Sequence, residues 1–310
     1  MIVQIYEIQT PQETENCVKL GVDHIGCVLF SHEKETHASL KEVIKVTRET
    51  GAKSSLLPLF QDRDQVYRVI DQYAPDYIHF CQSLTNPTGE PIELEELVSF
   101  QADIKESFPE IGIIRTTPVP RKGLEIANFP FLDVVQALEE VSDFFLIDTW
   151  TEREPVKGFI GITGTVSDWD RAKEIAFSST TPVILAGGIS PENVYEAILK
   201  VTPAGVDSCT LTNSQDESGR PIRFQKDFTK VKRLVEEVRR AERDLRTLRD
   251  EKEQGLITLK EELREREAAL PAHSIRPHQI LAIEELEEEI AEREKEIRCL
   301  DLAISRVTSS

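Results

Sequence analysis

The sequence predicts an α/β protein: a (β/α)8 TIM barrel over residues 1–228, followed by a C-terminal antiparallel helical hairpin, or coiled coil, over residues 229–310. Up to about residue 228, eight short apolar runs alternate with amphipathic stretches, which is typical of consecutive βα units. Beyond that point, apolar residues recur at gaps of three and four, as they do along the seam of a coiled coil. These two patterns divide the chain into two parts.

Each apolar run is predicted to be a strand because it is too short for a buried helix, and several runs are rich in Val and Ile. The runs lie at residues 2–6, 24–30, 55–60, 77–81, 111–115, 144–148, 182–186 and 204–209. A doubly wound open sheet would give the same alternation of elements. The count of eight favours the closed barrel.

The stretches between the runs are predicted helices. They lie at residues 11–20, 39–50, 62–73, 92–107, 131–141, 167–177 and 191–200, with an eighth that begins near Phe224. Several carry start signals, in which a capping side chain or a proline lies where the helix begins: Thr10-Pro11, Asp62 and Ser190-Pro191. In a barrel, these helices pack on the outer face of the strands.

The C-terminal part is predicted to form two long helices. The first seam comprises Leu234, Val238, Ala241, Leu245 and Leu248, and the second comprises Ile283, Leu286, Ile290, Ile297, Leu300 and Ile304, with Arg293 as an interruption. Two prolines within residues 268–278 end one helix and start the next. Lys252 and Gly255 interrupt the first seam and predict a bend or a weaker register there. The apolar stripe of residues 233–305 is expected to pack on itself, on a second copy in a homodimer or on another protein.

Composition excludes several classes of function. The formal net charge is −19, of which −16 lies on residues 1–228, so nucleic acid is not an expected partner. The chain has no run of about 18 apolar residues and no signal-peptide pattern, so we expect a cytoplasmic protein without a membrane span. The five cysteines form no CxxC pair and the six histidines show no metal-ligand spacing. We therefore expect reduced thiols, no metal site and no cofactor.

One short segment points to a ligand. In PVILAGGISPENV, residues 182–194, a glycine pair lies where the seventh strand turns into a helix. Gly187 and Gly188 could serve a tight turn alone. The same arrangement also lets backbone N–H groups approach a phosphate at a helix N-terminus. Because barrels commonly bind phosphate after strands seven and eight, we expect a phosphate site here.

Four segments of the barrel carry a family resemblance. They are FLIDT (145–149), GITGTVSDW (161–169), PVILAGGISPENV (182–194) and GVDS (205–208). In this order and spacing they resemble phosphoribosylanthranilate isomerase of tryptophan biosynthesis. The N-terminal VQIYEIQTPQE and LGVDHIGCVLF are similar to the first strand, helix and second strand of that family. The resemblance covers about residues 1–228 and leaves out the helical tail.

The resemblance implies an Amadori rearrangement of a phosphoribosyl amine, from an aminoaldose to an aminoketose. This reaction needs a general acid for the sugar ring oxygen and a general base for the C2 proton. The resemblance places the acid on Asp148, the aspartate of the sixth strand. It assigns binding of the phosphorylated sugar-type substrate to Gly164, Gly187, Gly188, Asp207, Cys209, Thr210 and Arg115.

The chain departs from the family pattern at the base. The family's first strand ends in Lys-x-Cys-Gly-x-Thr with cysteine as base, and here Gln4, Tyr6 and Glu7 stand at the Lys, Cys and Gly positions. A tyrosine with an ordinary pKa of about 10 is only about 0.1% ionised at pH 7. Glu7 can replace the thiol only if the chain turns there, because neighbours along a strand face opposite sides.

Two loops depart as well. SHEKETHAS (31–39), after strand two, lacks the arginine that the family is expected to use for the anthranilate carboxylate, and offers Lys34, His32 or His37 instead. After strand eight, residues 209–211 replace a Ser-Ser-Gly turn.

Three hypotheses for the function follow from the sequence. The chain is an isomerase of the phosphoribosylanthranilate type, a phosphate-binding barrel with a changed substrate or without catalysis, or an interaction protein that acts through its helical hairpin.

Overall fold

In the computed structural model of the protein, eight parallel strands close into a barrel in the order in which they occur in the chain. They are β1 (Ile2–Ile5), β2 (His24–Leu29), β3 (Lys53–Pro58), β4 (Tyr77–Phe80), β5 (Gly112–Pro120), β6 (Phe144–Trp150), β7 (Val183–Leu185) and β8 (Gly205–Ser208). Each strand corresponds to one predicted apolar run, so the predicted (β/α)8 barrel is confirmed. The structure describes residues 1–30, 34–86, 92–124, 126, 129–151, 156–270 and 276–304, without the side chains of residues 34–38.

A helix follows each of the first seven strands on the outside of the barrel. These helices are α1 (Pro11–Lys19), α2 (Lys34–Glu49), α3 (Arg63–Tyr73), α4 (Glu95–Ser107), α5 (Phe131–Leu138), α6 (Trp169–Ser178) and α7 (Val194–Val201). Thr10 and Asp62 cap α1 and α3 by accepting hydrogen bonds from backbone N–H groups of the first turn, as their start signals predict. α7 begins at Val194, later than predicted, because a turn precedes it.

Two apolar layers hold the barrel together. Inside it, side chains from alternate strand positions form a small buried cluster that includes Tyr77, Ile114, Phe144 and Ile184. The opposite side chains of the strands pack against the helices in a larger cluster. Since successive side chains of a strand point to opposite faces, this alternation decides which residues face the interior and the ligand end of the barrel.

A two-stranded antiparallel sheet between β8 and the next helix is not predicted by the apolar pattern. It consists of β9 (Asn213–Gln215) and β10 (Pro221–Lys226). Its turn is held by the carboxylate of Asp216, which accepts hydrogen bonds from the N–H groups of Ser218 and Arg220. β9 is short and polar, so apolar periodicity gives no signal for it. The helix predicted to begin near Phe224 therefore begins later, at Phe228.

α8 (Phe228–Ala268) is one continuous helix with two different surroundings. In its first half, Leu234, Val238, Ala241 and Leu245 are fully buried in the cluster between the strands and the helices. Arg239 donates hydrogen bonds to the carbonyl oxygens of Met1 and Gly21 and to the carboxylate of Asp23. Most of the predicted first coiled-coil seam thus packs on the barrel as its eighth helix.

The second half of α8 pairs with α9 (Pro277–Ile304) in the predicted helical hairpin. Three ion pairs join the two helices in antiparallel order: Arg249–Asp301, Lys252–Glu296 and Lys260–Glu294. The end of α9 returns to the barrel, where Leu300 and Ala303 are buried in the main core. Within the described ranges, no helix combines the length and apolar character needed to cross a membrane.

The interruptions of the two predicted seams face each other. Gly255 on α8 lies opposite Arg293 on α9, and a Cβ atom at Gly255 would lie 3.0 Å from Arg293 Nη1. Lys252, the other interruption of the first seam, forms its ion pair with Glu296 across the same interface. The small residue leaves room for the large one, and α8 continues through this region as a helix.

Candidate active site

A cavity of about 320 Å³ lies at the carboxyl ends of β6, β7 and β8, where a barrel of this type binds its ligand. We call it the phosphate cavity. Its lining includes six residues that the sequence analysis assigns to substrate binding: Gly164, Gly187, Gly188, Asp207, Cys209 and Thr210. The structure thus brings together residues from three separate loops.

Backbone N–H groups of the phosphate cavity are free to bind an anion. Within the part of the chain that the structure describes, the N–H groups of Gly164, Gly188 and Ile189 have no hydrogen-bond partner. Gly188 has a φ of 63°, and a Cβ atom there would lie 2.7 Å from the backbone of Thr165. Position 188 therefore needs glycine, because a larger residue would push the loops after β6 and β7 apart. Neutral donors of this kind suit a phosphate in a negatively charged barrel.

A second cavity, of about 460 Å³, adjoins the first at the centre of the barrel mouth, and we call it the mouth cavity. Apolar side chains form much of its wall: Val28, Leu57, Leu146, Ile160 and Ile162. Asp148, Asp207 and Cys209 line both cavities. A ligand with its phosphate in the first cavity would therefore pass the two carboxyl groups and reach an apolar space.

Asp148 and Asp207 form a pair of carboxyl groups where the two cavities meet. Burial raises the pKa of Asp148 to about 6. Burial, and after it repulsion from Asp148, raises the pKa of Asp207 to about 8. A Cβ atom at Gly161 would lie 2.0 Å from Asp148 Oδ2, so only glycine there leaves room for this carboxyl. At neutral pH the pair carries one proton, and it can offer one acid and one base.

Tyr6, at the position of the family's cysteine, lines the mouth cavity but is a poor base. Its hydroxyl lies 2.6 Å from Ser55 Oγ and 2.6 Å from His79 Nδ1, and His79 Nε2 lies 2.7 Å from Thr116 Oγ1. Burial raises the pKa of Tyr6 well above 10. Burial also lowers the pKa of His79 to about 3. Both groups are neutral at pH 7, and with Ser55 and Thr116 they form a hydrogen-bonded polar layer in the wall of the mouth cavity.

The chain turns at Glu7, which has a φ of 65°, so its fully buried carboxylate lines the mouth cavity. This carboxylate accepts hydrogen bonds from Asn213 Nδ2, from the Phe224 N–H and from Arg223 Nε. Burial alone would raise the pKa of Glu7, but these donors and the charge of Lys226 lower it below its ordinary value. Glu7 is therefore a fixed carboxylate and a weak base.

Arg223 is a cationic residue of the mouth cavity that the sequence analysis does not single out. It comes from β10, and 39% of its side chain is exposed. Its guanidinium lies over the Phe224 ring at 5.0 Å, and that ring contacts Phe30, just beyond β2, at 5.6 Å between centroids. No described residue accepts a hydrogen bond from its terminal nitrogens, since its hydrogen bond to Glu7 comes from Nε. The sequence signal that could have found it is the Ser218-Gly219 turn, which implies a hairpin.

Arg115 lies away from both cavities. It alternates along β5 with Ile114 and Thr116, which face the barrel interior, so its side chain faces the helices. It is 1% exposed and donates a hydrogen bond to Gln82 Oε1 at 2.9 Å. The structure therefore does not bring Arg115 to the other predicted site residues. The side chains of His32, Lys34 and His37 lie outside the described part of the chain.

Comparison with known proteins connects this geometry to one family. The family model of N-(5'-phosphoribosyl)anthranilate (PRA) isomerase matches residues 114–237. N-(5'-phosphoribosyl)anthranilate isomerase 1 of Methanosarcina mazei is 30% identical over 253 residues. That match covers 76% of this chain and 94% of the Methanosarcina protein.

Solved structures agree on the fold. The N-(5'-phosphoribosyl)anthranilate isomerase from Pyrococcus furiosus gives a TM-score of 0.52 at 22% identity, over 76% of this chain and 98% of that one. A phosphoribosyl anthranilate isomerase in complex with reduced 1-(o-carboxyphenylamino)-1-deoxyribulose 5-phosphate gives 0.53 at 17% identity, over 76% and 98%. At these identities the structural likeness supports the fold alone.

Proposed function

We propose a function for this chain from the premise that it belongs to the N-(5'-phosphoribosyl)anthranilate isomerase family. Its barrel catalyses the Amadori rearrangement of N-(5'-phosphoribosyl)anthranilate to 1-(o-carboxyphenylamino)-1-deoxyribulose 5-phosphate, a step of tryptophan biosynthesis. The substrate is a small phosphorylated sugar derivative that carries an aromatic acid.

One observation carries this proposal: the phosphate cavity and the apolar mouth cavity meet at Asp148 and Asp207. The substrate has its parts in the same order, with a phosphate at one end, the ribose in the middle and the aromatic ring at the other end. A phosphate on the free N–H groups places the ribose beside the two carboxyls and the ring among the apolar side chains. Because the ribose is where protons must move, the acid–base pair lies where the reaction needs it.

The reaction needs one proton donor and one proton acceptor. Asp148 donates a proton to the ring oxygen, and the bond between that oxygen and C1 breaks to leave an iminium ion. Asp207 takes the proton from C2, the electrons of that C–H bond form the double bond between C1 and C2, and the electrons of the C1–N double bond return to nitrogen. Asp207 then returns its proton to C1 of this enolamine while Asp148 takes the proton of the C2 hydroxyl, which gives the ketone. The net change is an isomerisation, so the proton shared by the two carboxyls is regenerated.

Asp207 replaces the family's cysteine as the base in this proposal. Tyr6 stays protonated and Glu7 is held by three donors, so neither accepts the C2 proton readily. The single proton of the carboxyl pair can lie on either aspartate, and the productive arrangement has it on Asp148. In that arrangement Asp148, which has the lower pKa, is the acid, and Asp207, which has the higher pKa, is the base. A stronger acid gives up its proton more readily and a stronger base accepts one more readily, so both proton transfers are favoured.

At the aromatic end, Arg223 binds the carboxylate of the anthranilate ring. Its free terminal nitrogens can form the two parallel hydrogen bonds that a guanidinium makes with a carboxylate. Glu7, Arg223 and Lys226 together leave one positive charge at the mouth, in a barrel that is otherwise acidic. The residue comes from β10, whereas the family's arginine is expected in the loop after strand two.

Complementation tests the proposal. The chain is expected to restore growth without tryptophan to a bacterial strain that lacks the isomerase. Asp148→Asn and Asp207→Asn should each lower turnover by at least about 100-fold and abolish growth. Asp71→Asn, at an exposed aspartate of α3, serves as the control and should support normal growth.

The pH dependence of the purified protein is a second test. Activity needs one proton on the pair of carboxyls, so kcat/KM should fall below a pH of about 6 and above a pH of about 8.

Failure of a well-expressed chain to support growth would contradict the isomerase proposal. Binding of a sugar phosphate by that same chain would then support a phosphate-binding barrel without this catalysis.

A further inference from the structure

We propose that Gln4 and His24 are positioning residues, which orient Asp207 for proton transfer through a buried hydrogen-bond chain. The inference rests on the proposed function, in which Asp207 accepts a proton from the substrate. Neither residue lines the mouth cavity or the phosphate cavity, so both act through Asp207.

The hydrogen-bond chain crosses three adjacent strands inside the barrel. His24 Nδ1 lies 3.2 Å from Gln4 Oε1, and Gln4 Nε2 lies 3.2 Å from Asp207 Oδ1. The register of the barrel pairs Gln4 with His24 on one side and with Asp207 on the other. All three residues are buried, with Gln4 0% exposed. The closed barrel therefore places the three side chains together.

The atoms fix the direction of both hydrogen bonds. Gln4 Oε1 can only accept, so His24 donates from Nδ1–H. Burial lowers the pKa of His24 to about 4, so the ring is neutral and carries a single proton. The ring stacks on Tyr77 at 5.2 Å and meets the edge of Phe144 at 6.1 Å between centroids, which holds its plane. With Oε1 occupied by His24, the amide nitrogen of Gln4 donates to Asp207.

This donated hydrogen bond favours the productive arrangement of the shared proton. A donor on Oδ1 stabilises the ionised form of Asp207 relative to its protonated form. It therefore helps to keep the proton on Asp148, where the reaction needs it. A cation at position 4 would lower the pKa of Asp207 further and make it a weaker base. The neutral amide lowers that pKa less, so Asp207 remains the stronger base that its burial makes it.

Eight other charged or titratable groups face or influence Asp207 from the elements around it. They are Asp148 from β6, Tyr6 and Glu7 after β1, His79 from β4, Cys81 after β4, Cys209 after β8, and Arg223 and Lys226 from β10. Substitutions at Gln4 or His24 leave all eight in place, and Lys226 remains held by its own hydrogen bonds to Asn213 and to the Cys209 carbonyl. A change in the titration of Asp207 can then be assigned to the hydrogen-bond chain.

Two substitutions at one position give opposite expectations. Gln4→Met removes the donor at similar volume, and Gln4→Lys places a cation beside the carboxyl. The titration of Asp207 is followed by ¹³C NMR in the full chain, with its signal assigned from its loss in Asp207→Asn. We expect the midpoint to rise by about one pH unit in Gln4→Met and to fall by about one unit or more in Gln4→Lys. His24→Phe keeps the ring contacts and should raise the midpoint less than Gln4→Met does.

Kinetics provide a second measurement. At neutral pH, kcat of Gln4→Met should fall about tenfold while KM stays the same, because Gln4 does not touch the substrate. The high-pH limb of kcat/KM should move in the same direction as the midpoint in both variants. Ile5→Val is the matched control: it lies next to Gln4, faces the helices and is fully buried, so it should lower Tm without moving the midpoint.

A midpoint that moves in neither Gln4 variant, or that moves as far in Ile5→Val, would overturn the proposal and leave Gln4 as a packing residue. The NMR titration needs no substrate. If the unmodified chain lacked isomerase activity, the proposed function would fail, and the titration would still decide whether the hydrogen-bond chain controls Asp207.

Discussion

Asp148 and Asp207 lie at the ends of strands whose sequence motifs are local, and their positions could be predicted for that reason. The protonation states of Tyr6 and Glu7 could not be predicted from the sequence. Burial inside the barrel keeps Tyr6 protonated, and donors from Asn213 and Arg223, 206 and 216 residues away in the chain, keep Glu7 ionised. Residue types at a motif position therefore indicate where a group lies, whereas the pKa of that group depends on contacts that only the folded chain brings together.

Arg223 can be tested as the binding residue for the substrate carboxylate. Arg223→Leu removes the guanidinium, and we expect KM for N-(5'-phosphoribosyl)anthranilate to rise about 10- to 100-fold, since a charged hydrogen-bonded pair is lost. Glu7 keeps its hydrogen bonds from Asn213 and Phe224, so kcat should change less than KM. Arg223→Lys should lie between the two because lysine keeps the charge without the planar fork.

The control for this prediction is Arg220→Leu. Arg220 lies at the turn of the same sheet, 81% of its side chain is exposed, and it forms an ion pair with Asp216 rather than facing the cavity. Steady-state kinetics of the three variants provide the measurement. An unchanged KM in Arg223→Leu would show that the carboxylate is bound elsewhere.

At the scale of elements, hydrophobic periodicity predicts the strands and helices that close the barrel, but it does not predict the small sheet of β9 and β10. The eight strands and seven following helices carry buried faces, so their patterns are visible in the sequence. β9 and β10 bury few side chains and form through turn chemistry around Asp216. The sheet that supplies Arg223 to the mouth is thus the part of the site with the weakest apolar pattern.

Gly255 offers a test of the helical hairpin. Gly255→Ala should raise the free energy of unfolding by about 0.5–1 kcal/mol, because alanine favours the helix over glycine. The nearest atom to the new Cβ would be Arg293 Nη1 at 3.0 Å, the mobile end of a long side chain that can shift. Urea denaturation with the unmodified chain as reference provides the measurement.

A second glycine gives the opposite expectation under the same measurement. A Cβ atom at Gly51 would meet no other atom within 4 Å, but the φ of Gly51 is 79°, so Gly51→Ala should lower the free energy of unfolding by about 1 kcal/mol. If Gly255→Ala is as destabilising as Gly51→Ala, then Arg293 is held rigidly and the two helices are packed more tightly than the contact between them implies.

On the scale of the whole molecule, the helical hairpin and the barrel share α8. The sequence predicts a boundary at residues 228–229 because the apolar gaps change there, and a helix that packs on a barrel has the same gaps of three and four as a coiled-coil seam. The contacts of Arg239 with Met1, Gly21 and Asp23 attach this helix to the start of β1 and the loop before β2. Periodicity could not distinguish these two uses of one helix.

Two shortened chains test this sharing. A chain ending at residue 232 loses Leu234, Val238 and Leu245, which are fully buried. Each contributes about 1.5–3 kcal/mol, and a domain has only about 5–15 kcal/mol in total, so this chain should show no cooperative thermal unfolding. Replacing residues 258–290 with a short Gly-Ser linker removes the far end of the hairpin and should leave both Tm and isomerase activity near their original values. Light scattering on the second chain shows whether the removed end joins two copies. A stable, folded barrel ending at residue 232 would instead mean that α8 belongs to the hairpin alone, as the apolar gaps predict.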